Sequence, residues 1–467
     1  MNLPSFEELV VSGGDSRLDI LENGLNKYNV DPCDFRSTLN RASCTCSPFS
    51  PDGYQAAHGL YSKLPDLDFD KVRDEQTQRI KTLLNYDHKD RFHVFYAPSG
   101  SDLCYYSLLF SKLIFPDRNI FNVITCPEEL GSGSLNAHSG RFFDTRNQFG
   151  EEIKPGQLLS DELSVDSAEF RARDPNGEIV NHSDAIIDEI HNRYNSHSVT
   201  SNLVIGSKSG IENNVSIVSR APEDVLWTID LCQFRASRVL INGLLGMNCC
   251  VMLTGSKFYQ SPPFCAALLV PRTITEKFQP RASVNAKAFG SIFASRDIPA
   301  EFPTIRQQLR DFKNYGVLLR WEAALAEMTA LAELDSFRVN QAVRKWNDFV
   351  VTKLRTYSMF ELMPGQEITN KTIVSFRVKK GANEYFSHDE LRLLYNKICQ
   401  SQFTNMHGFE KLLIGQPVKY GDKSFIRLAL GSSDLRSFAK DKTDFALDAV
   451  VIENIKSVVN EIVGIKV

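Results

Sequence analysis

From residue 71 the chain reads KVRDEQTQRIKTLLNY, with apolar positions three and four apart, and this spacing predicts an amphipathic helix. A short apolar run, FHVFYA, follows, and the turn PSGSD then opens a second helical run, LCYYSLLFSKLIF. The implied order is helix, strand, tight turn, helix. Apolar runs of strand length recur at NIFNVIT, TSNLVIG, VLWTID, CCVMLTG and CAALLVP, with the helical SDAIIDEIHNRY before the second of them. Strands apolar along their whole length and interleaved with helices are those of a sheet covered on both faces. The expected fold class is α/β, with a mostly parallel central sheet and helices on both sides. The stretch from about 146 to 183 is rich in Asp, Glu, Ser and Gly, and reads as an excursion between core elements.

The texture changes after about residue 300. LRDFKNYGVLLRWEAALAEMTALAEL predicts a long helix that connects to a second, AVRKWNDFVVTKLRTY. NKTIVSFRV, HDELRLLYNKI, SFIRLAL and a helical tail follow, and together they read as a smaller C-terminal α+β domain. The first 65 residues have weak periodicity and many Ser, Gly and Pro, as in a segment that wraps over the large domain. The expected division is 1–65 for this segment, 66–295 for the large domain and 296–467 for the small one.

The composition is that of an ordinary water-soluble protein: 467 residues, 42% hydrophobic, 24% charged, net charge -4. No basic run with interleaved aromatics suits a phosphodiester backbone, so nucleic acid is not an expected partner. Neither a signal sequence nor an apolar run of membrane-spanning length stands out, so no membrane partner is expected. The 10 cysteines are scattered, and Cys44-Thr45-Cys46 and Cys249-Cys250 lack a second Cys/His cluster at metal spacing. Free thiols in a reducing, cytoplasmic setting and no metal are the expectation.

In such a sheet ligands gather at the carboxyl ends of the strands. Three ends carry complementary chemistry. Ser99-Gly100-Ser101-Asp102 lies between a strand and a helix, where free N–H groups favour a phosphate, although an ordinary helix cap reads the same way. Asp230 ends TID, with Gln233 three positions on; it suits a protonated ring nitrogen, or equally the cap of the following helix. Thr254-Gly255-Ser256-Lys257 ends the third, offering two hydroxyls and an amine. A phosphate cradle, a carboxylate and a lysine are what a pyridoxal phosphate site needs.

The order PSGSD, ELGSGS, IDLCQFR and TGSKFYQSPPFCAALLVP resembles the fold-type I pyridoxal phosphate enzymes, the aspartate aminotransferase superfamily, and most closely its class V-like branch with an Asp-x-x-Gln motif. The resemblance extends to the LRWEAALAEM helix and the FIRLALG strand. It implies a homodimer with pyridoxal 5'-phosphate as cofactor, Lys257 as the Schiff-base lysine and Asp230 as partner of the pyridine nitrogen. It places Gln233 near the phenolic oxygen, and makes Ser99, Gly100, Ser101 and Ser256 phosphate ligands, with Thr254 beside them. At Glu128-Glu129-Leu130-Gly131, where relatives carry a ring that stacks on the cofactor, this chain has none; His138 lies downstream. Arg427 matches an arginine presented to the substrate carboxylate, with Arg436 its rival. Asn26, Tyr28, Ser43 and Thr45 lie in stretches that suit a lid.

The expected activity is that of an aminotransferase acting on an amino acid, a small-molecule partner, through Lys257. The alternatives are a lyase or desulfurase-type elimination, for which Cys399 is the thiol after the linker, and a non-catalytic binding protein on the same scaffold.

Overall fold

The fold was analysed in a computed structural model, which describes residues 3–84, 91–131, 133–278, 286–363, 371–382, 384–420, 423–440 and 444–464. Among the described residues twelve strands form two sheets. In chain order they are β1 (Thr38–Arg41), β2 (Phe92–Ala97), β3 (Asn119–Thr125), β4 (Val165–Phe170), β5 (His197–Val204), β6 (Leu226–Asp230), β7 (Cys250–Thr254), β8 (Ala266–Pro271), β9 (Phe360–Leu362), β10 (Ile373–Val378), β11 (Lys411–Val418) and β12 (Phe425–Ala429).

The large sheet has the order β2-β8-β7-β6-β5-β3-β4. Strands β4, β3, β5, β6 and β7 pair in parallel, and β8 runs antiparallel to both neighbours. The apolar runs at β2, β6, β7 and β8 become strands buried almost throughout, because helices cover both faces. The polar excursion contains β4, which pairs along its length with β3. Its VDSAEF sequence has no fully buried position, as suits an edge strand, and Val165, Ala168 and Phe170 pack only partly on the core.

The small sheet has the order β1-β11-β12-β10-β9. Its first strand comes from the N-terminal segment: β1 pairs in parallel with β11, from Thr38 opposite Lys411 to Arg41 opposite Ile414. The segment therefore contributes an edge strand to the small sheet. Arg41, buried, fixes this join through Asp448 at 2.7 Å and Asp434 at 3.1 Å. The next residues, Ser43 to Thr45, are carried from β1 toward the large sheet.

The helix Tyr315–Ala332 joins the two halves, capped at its start by Asn314 rather than running from Leu309. One flank, with Val317, Trp321 and Ala324, packs on the large-sheet core, and another, with Leu318, Leu319 and Ala323, packs on Phe6, Phe49 and Ala57 of the N-terminal segment. This burial on opposite sides explains its apolar character. Its close approach also fixes a glycine: a Cβ at Gly255 would lie 2.4 Å from the Ala324 Cβ and 2.9 Å from the Cys265 Sγ, so only glycine lets the turn after β7 pack here.

Candidate active site

A cavity of about 390 Å³ lies at the carboxyl ends of β5, β6 and β7, beneath β12 and the N-terminal segment, within the size range of small-ligand sites. Ser99, Gly100, Ser101, Asp230, Gln233, Thr254, Ser256, Lys257 and Arg427 all line it.

The turn before the helix Gly100–Ile114 is a capping box. Ser99 accepts from the Asp102 amide, and Asp102 returns the bond to the Ser99 amide. The helix therefore begins at Gly100 with its first amides free of intrahelical acceptors, as an anion site requires. The cap and the anion site are compatible rather than competing. Gly100 is forced by space, since a Cβ there would meet the Cys232 Sγ at 2.8 Å. Arg17 donates to the Ser99 Oγ at 2.8 Å while held by Asp15 at 2.6 Å, and its guanidinium lies over the Phe264 ring. It is a basic lining residue that no strand-end motif announced.

Asp230 is not a helix cap. The following helix, Arg238–Gly246, is capped by Ser237, and Asp230 accepts from the Cys232 amide at 2.8 Å at the lip of the cavity. Gln233 donates through Nε2 to the Cys44 carbonyl at 3.0 Å, tying down the N-terminal segment, while its Oε1 is buried without a partner. Thr254 donates to the Cys232 carbonyl at 2.6 Å, leaving lone pairs toward the cavity. The Ser256 Oγ is buried and has no hydrogen-bond partner. Unlike the equally unpartnered hydroxyls of Ser111, Ser198 and Ser201, it lines the cavity, where a ligand can reach it.

Arg427 is 2% exposed, yet no carboxylate pairs with it among the described residues. It donates to the Gln416 carbonyl at 2.8 Å, the Thr45 Oγ1 at 3.0 Å and the Lys208 carbonyl at 3.3 Å, all neutral acceptors. A buried cation surrounded only by neutral acceptors is set up to receive an anion. Arg436 is instead occupied by Glu327 at 2.9 Å and Asp52 at 2.6 Å, and does not line the cavity.

Leu130 and Gly131 line the wall where a ring was sought; Ser132 lies outside the described residues. His138 is buried away from this lining, with its carbonyl and ring nitrogen both against the Asn122 amide, and burial pushes its pKa down to about 4. It is a structural histidine. Of the proposed lid residues, Tyr28 and Thr45 reach the cavity, whereas Asn26 closes a turn and Ser43 donates to the Leu430 carbonyl. Cys399 is buried in the helix His388–Gln400, where burial raises its thiol to about 12, and it does not line the cavity. Cys44 and Cys232 do, both buried.

Sequence reading missed Lys208. It follows β5 in IGSKSG, repeating the strand-Gly-Ser-Lys pattern of TGSK, and lines the same cavity. Glu129 clamps its turn from both sides: it accepts from the hydroxyls of Ser207 and Ser209 and from the Ser209 amide.

No family model and no curated protein matches this sequence. Solved structures do match its fold. A cysteine desulfurase, CsdA, from Escherichia coli superposes with a TM-score of 0.56 at 12% identity, covering 93% of this chain and 99% of that one. A NifS-like protein from Rickettsia africae gives 0.53 at 13%, covering 89% and 99%. A tryptophan decarboxylase from Catharanthus roseus in complex with L-tryptophan gives 0.55 at 12%, covering 92% and 85%. Likeness at such identities is likeness of fold, and the chain has the fold of the fold-type I pyridoxal phosphate enzymes.

Proposed function

We propose that this chain is a pyridoxal 5'-phosphate-dependent aminotransferase acting on an amino acid, with Lys257 as its covalent anchor. The observation that carries the reading is that one cavity gathers Lys257, Asp230 and the partnerless Ser256 hydroxyl at adjacent strand ends. The residues fit the cofactor. The free amides at Gly100 and Ser101 and the Ser256 hydroxyl would hold a phosphate, Asp230 a protonated ring nitrogen, and the second Nε2 proton of Gln233 a phenolic oxygen. Leu130 and Gly131 offer an apolar wall in place of a stacked ring.

Bound there, the cofactor supplies an electron sink for charge developed at the amino acid's α-carbon. The protein does the rest. Lys257 would move a proton at the α-carbon. Arg427 keeps the α-carboxylate ionised and in place. That favours reaction at the α-hydrogen over loss of carbon dioxide, because decarboxylation must give up the charge the guanidinium holds. Tyr28 and Thr45, carried in from the N-terminal segment, help to exclude water. Cys399, enclosed in its helix, offers no accessible nucleophile for a desulfurase step.

A product assay tests the reading. Incubation with an amino-acid panel and a keto-acid acceptor should yield the cognate keto acid without stoichiometric ammonia or carbon dioxide; release of either would replace transamination by elimination or decarboxylation. Arg427→Ala should keep the cofactor spectrum and lose roughly tenfold or more in kcat/KM for amino acids, since a charge-assisted hydrogen bond contributes about 1.5–3 kcal/mol. A simple amine, lacking the carboxylate, should be indifferent to the change. Equal losses for both would make Arg427 structural.

A further inference from the structure

The Lys208 ammonium has no hydrogen-bond or ion-pair partner among the described residues, although its half-buried side chain lines the cavity and its backbone is held there from two directions. Glu129 fixes the serines on either side of it, and Arg427 donates to its carbonyl. Its charged neighbours are Arg427 on β12, Lys257 after β7, Asp230 at the end of β6 and Glu129 in the turn after β3.

The balance of charge in the cavity is uneven. Lys208, Lys257 and Arg427 stand inside, Lys27 and Arg392 lie exposed at the mouth, and Arg17 is already held by Asp15. Against them are two carboxylates. Glu129 is saturated by its serines, and Asp230 is assigned above to the cofactor ring. The cofactor phosphate faces the Ser99 turn, and an α-carboxylate would answer Arg427. One enclosed cation, Lys208, is then left without an anion. An unanswered cation in a poorly solvated site is costly, and the simplest compensation is a ligand that brings the missing charge.

We infer that the substrate of this site is an amino acid whose side chain carries a second anionic group, a carboxylate or a phosphate, and that Lys208 receives it. The inference rests on the function proposed above and names the substrate class for it. Burial, Arg427 and Lys257 push the Lys208 ammonium down to about 7, with Glu129 and Asp230 opposing. An arriving anion favours the charged form, so binding takes up a proton. Affinity for an acidic substrate should therefore weaken as pH rises above about 7.

The test compares L-aspartate, L-glutamate and O-phospho-L-serine with L-asparagine, L-glutamine and L-serine, in the wild-type protein and in Lys208→Met and Lys208→Arg. The wild type should prefer one acidic substrate over its neutral counterpart. In Lys208→Met the acidic-over-neutral ratio of kcat/KM should fall by roughly tenfold or more, mainly through KM, as expected for a lost charge-assisted hydrogen bond. Lys208→Arg should retain most of the preference. The extra pH dependence of KM for the acidic substrate should vanish in Lys208→Met. A carboxylate or a phosphate as the preferred side chain identifies the source of the anion. A wild type that favours neutral amino acids, or a Lys208→Met that loses equally on both classes, overturns the inference. Bound cofactor and turnover of any amino acid would still leave the proposed function standing, whereas absence of both would remove it independently.

Discussion

Lys257→Ala should bind pyridoxal phosphate non-covalently and lose transamination by at least 10²–10⁴-fold, the usual contribution of a positioned acid–base group. The amine has two tasks in the account, anchoring the cofactor and moving the α-proton, and alanine removes both. Lys257→Arg separates charge from nucleophilicity, because a guanidinium stays protonated at ordinary pH and cannot accept the proton. It should be nearly as inactive as the alanine variant. Single-turnover mixing with the preferred amino acid checks both, and near-normal rates in either would remove Lys257 from the chemistry.

Asp230→Asn should bind cofactor yet turn over roughly 10²-fold more slowly. The change keeps the side chain's shape while removing the anion that keeps a ring nitrogen protonated, and a charged hydrogen bond contributes about 1.5–3 kcal/mol. Because Ser237, not Asp230, caps the helix Arg238–Gly246, the variant should keep its unfolding midpoint. The kinetic loss without a stability loss distinguishes an electrostatic role from a structural one. A fall in stability with unchanged turnover would reverse the assignment.

The parts of the fold visible in the sequence are those whose partners leave a local imprint. Strands β2, β6, β7 and β8 are mostly apolar and almost wholly buried because both faces are covered, and the carboxyl ends of β6 and β7 point to the cavity before any contact is known. Strands at the margins leave no such imprint. β4 mixes exposed polar and half-buried apolar positions because it is an edge, and β1 is four residues paired with a strand that begins only at Lys411. β11 carries Gly415, Gln416 and Pro417, which weaken any strand signal in its sequence, yet it stays in the sheet through a register shift against β12 between Gly415 and Val418.

The site divides in the same way. Lys257, Asp230 and the Ser99 turn were legible because each directly follows an apolar run. Lys208 follows one too, and the echo of TGSK in IGSKSG was signal enough; it went unread because the family pattern drew attention to one lysine. Arg17, Tyr28 and Thr45 were legible only weakly or not at all as site residues, since their place in the cavity depends on long-range packing of a segment without periodicity. The difference between Arg427 and Arg436 was beyond sequence: both are arginines near the C-terminus, and only the fold shows that Glu327 and Asp52 occupy one while neutral acceptors surround the other.

Two lysines, Lys208 and Lys257, stand inside one cavity with Lys27 at its mouth, and the account's central claim is that the cofactor is anchored on Lys257. Borohydride reduction of the cofactor-loaded protein, followed by proteolysis and mass mapping of the pyridoxyl label, tests this most directly. The account predicts the label on the peptide containing LTGSKFYQSPPF, at Lys257, in the wild type and in Lys208→Met alike. A label on Lys208 or any other lysine, or a loaded protein that takes no label, would contradict it.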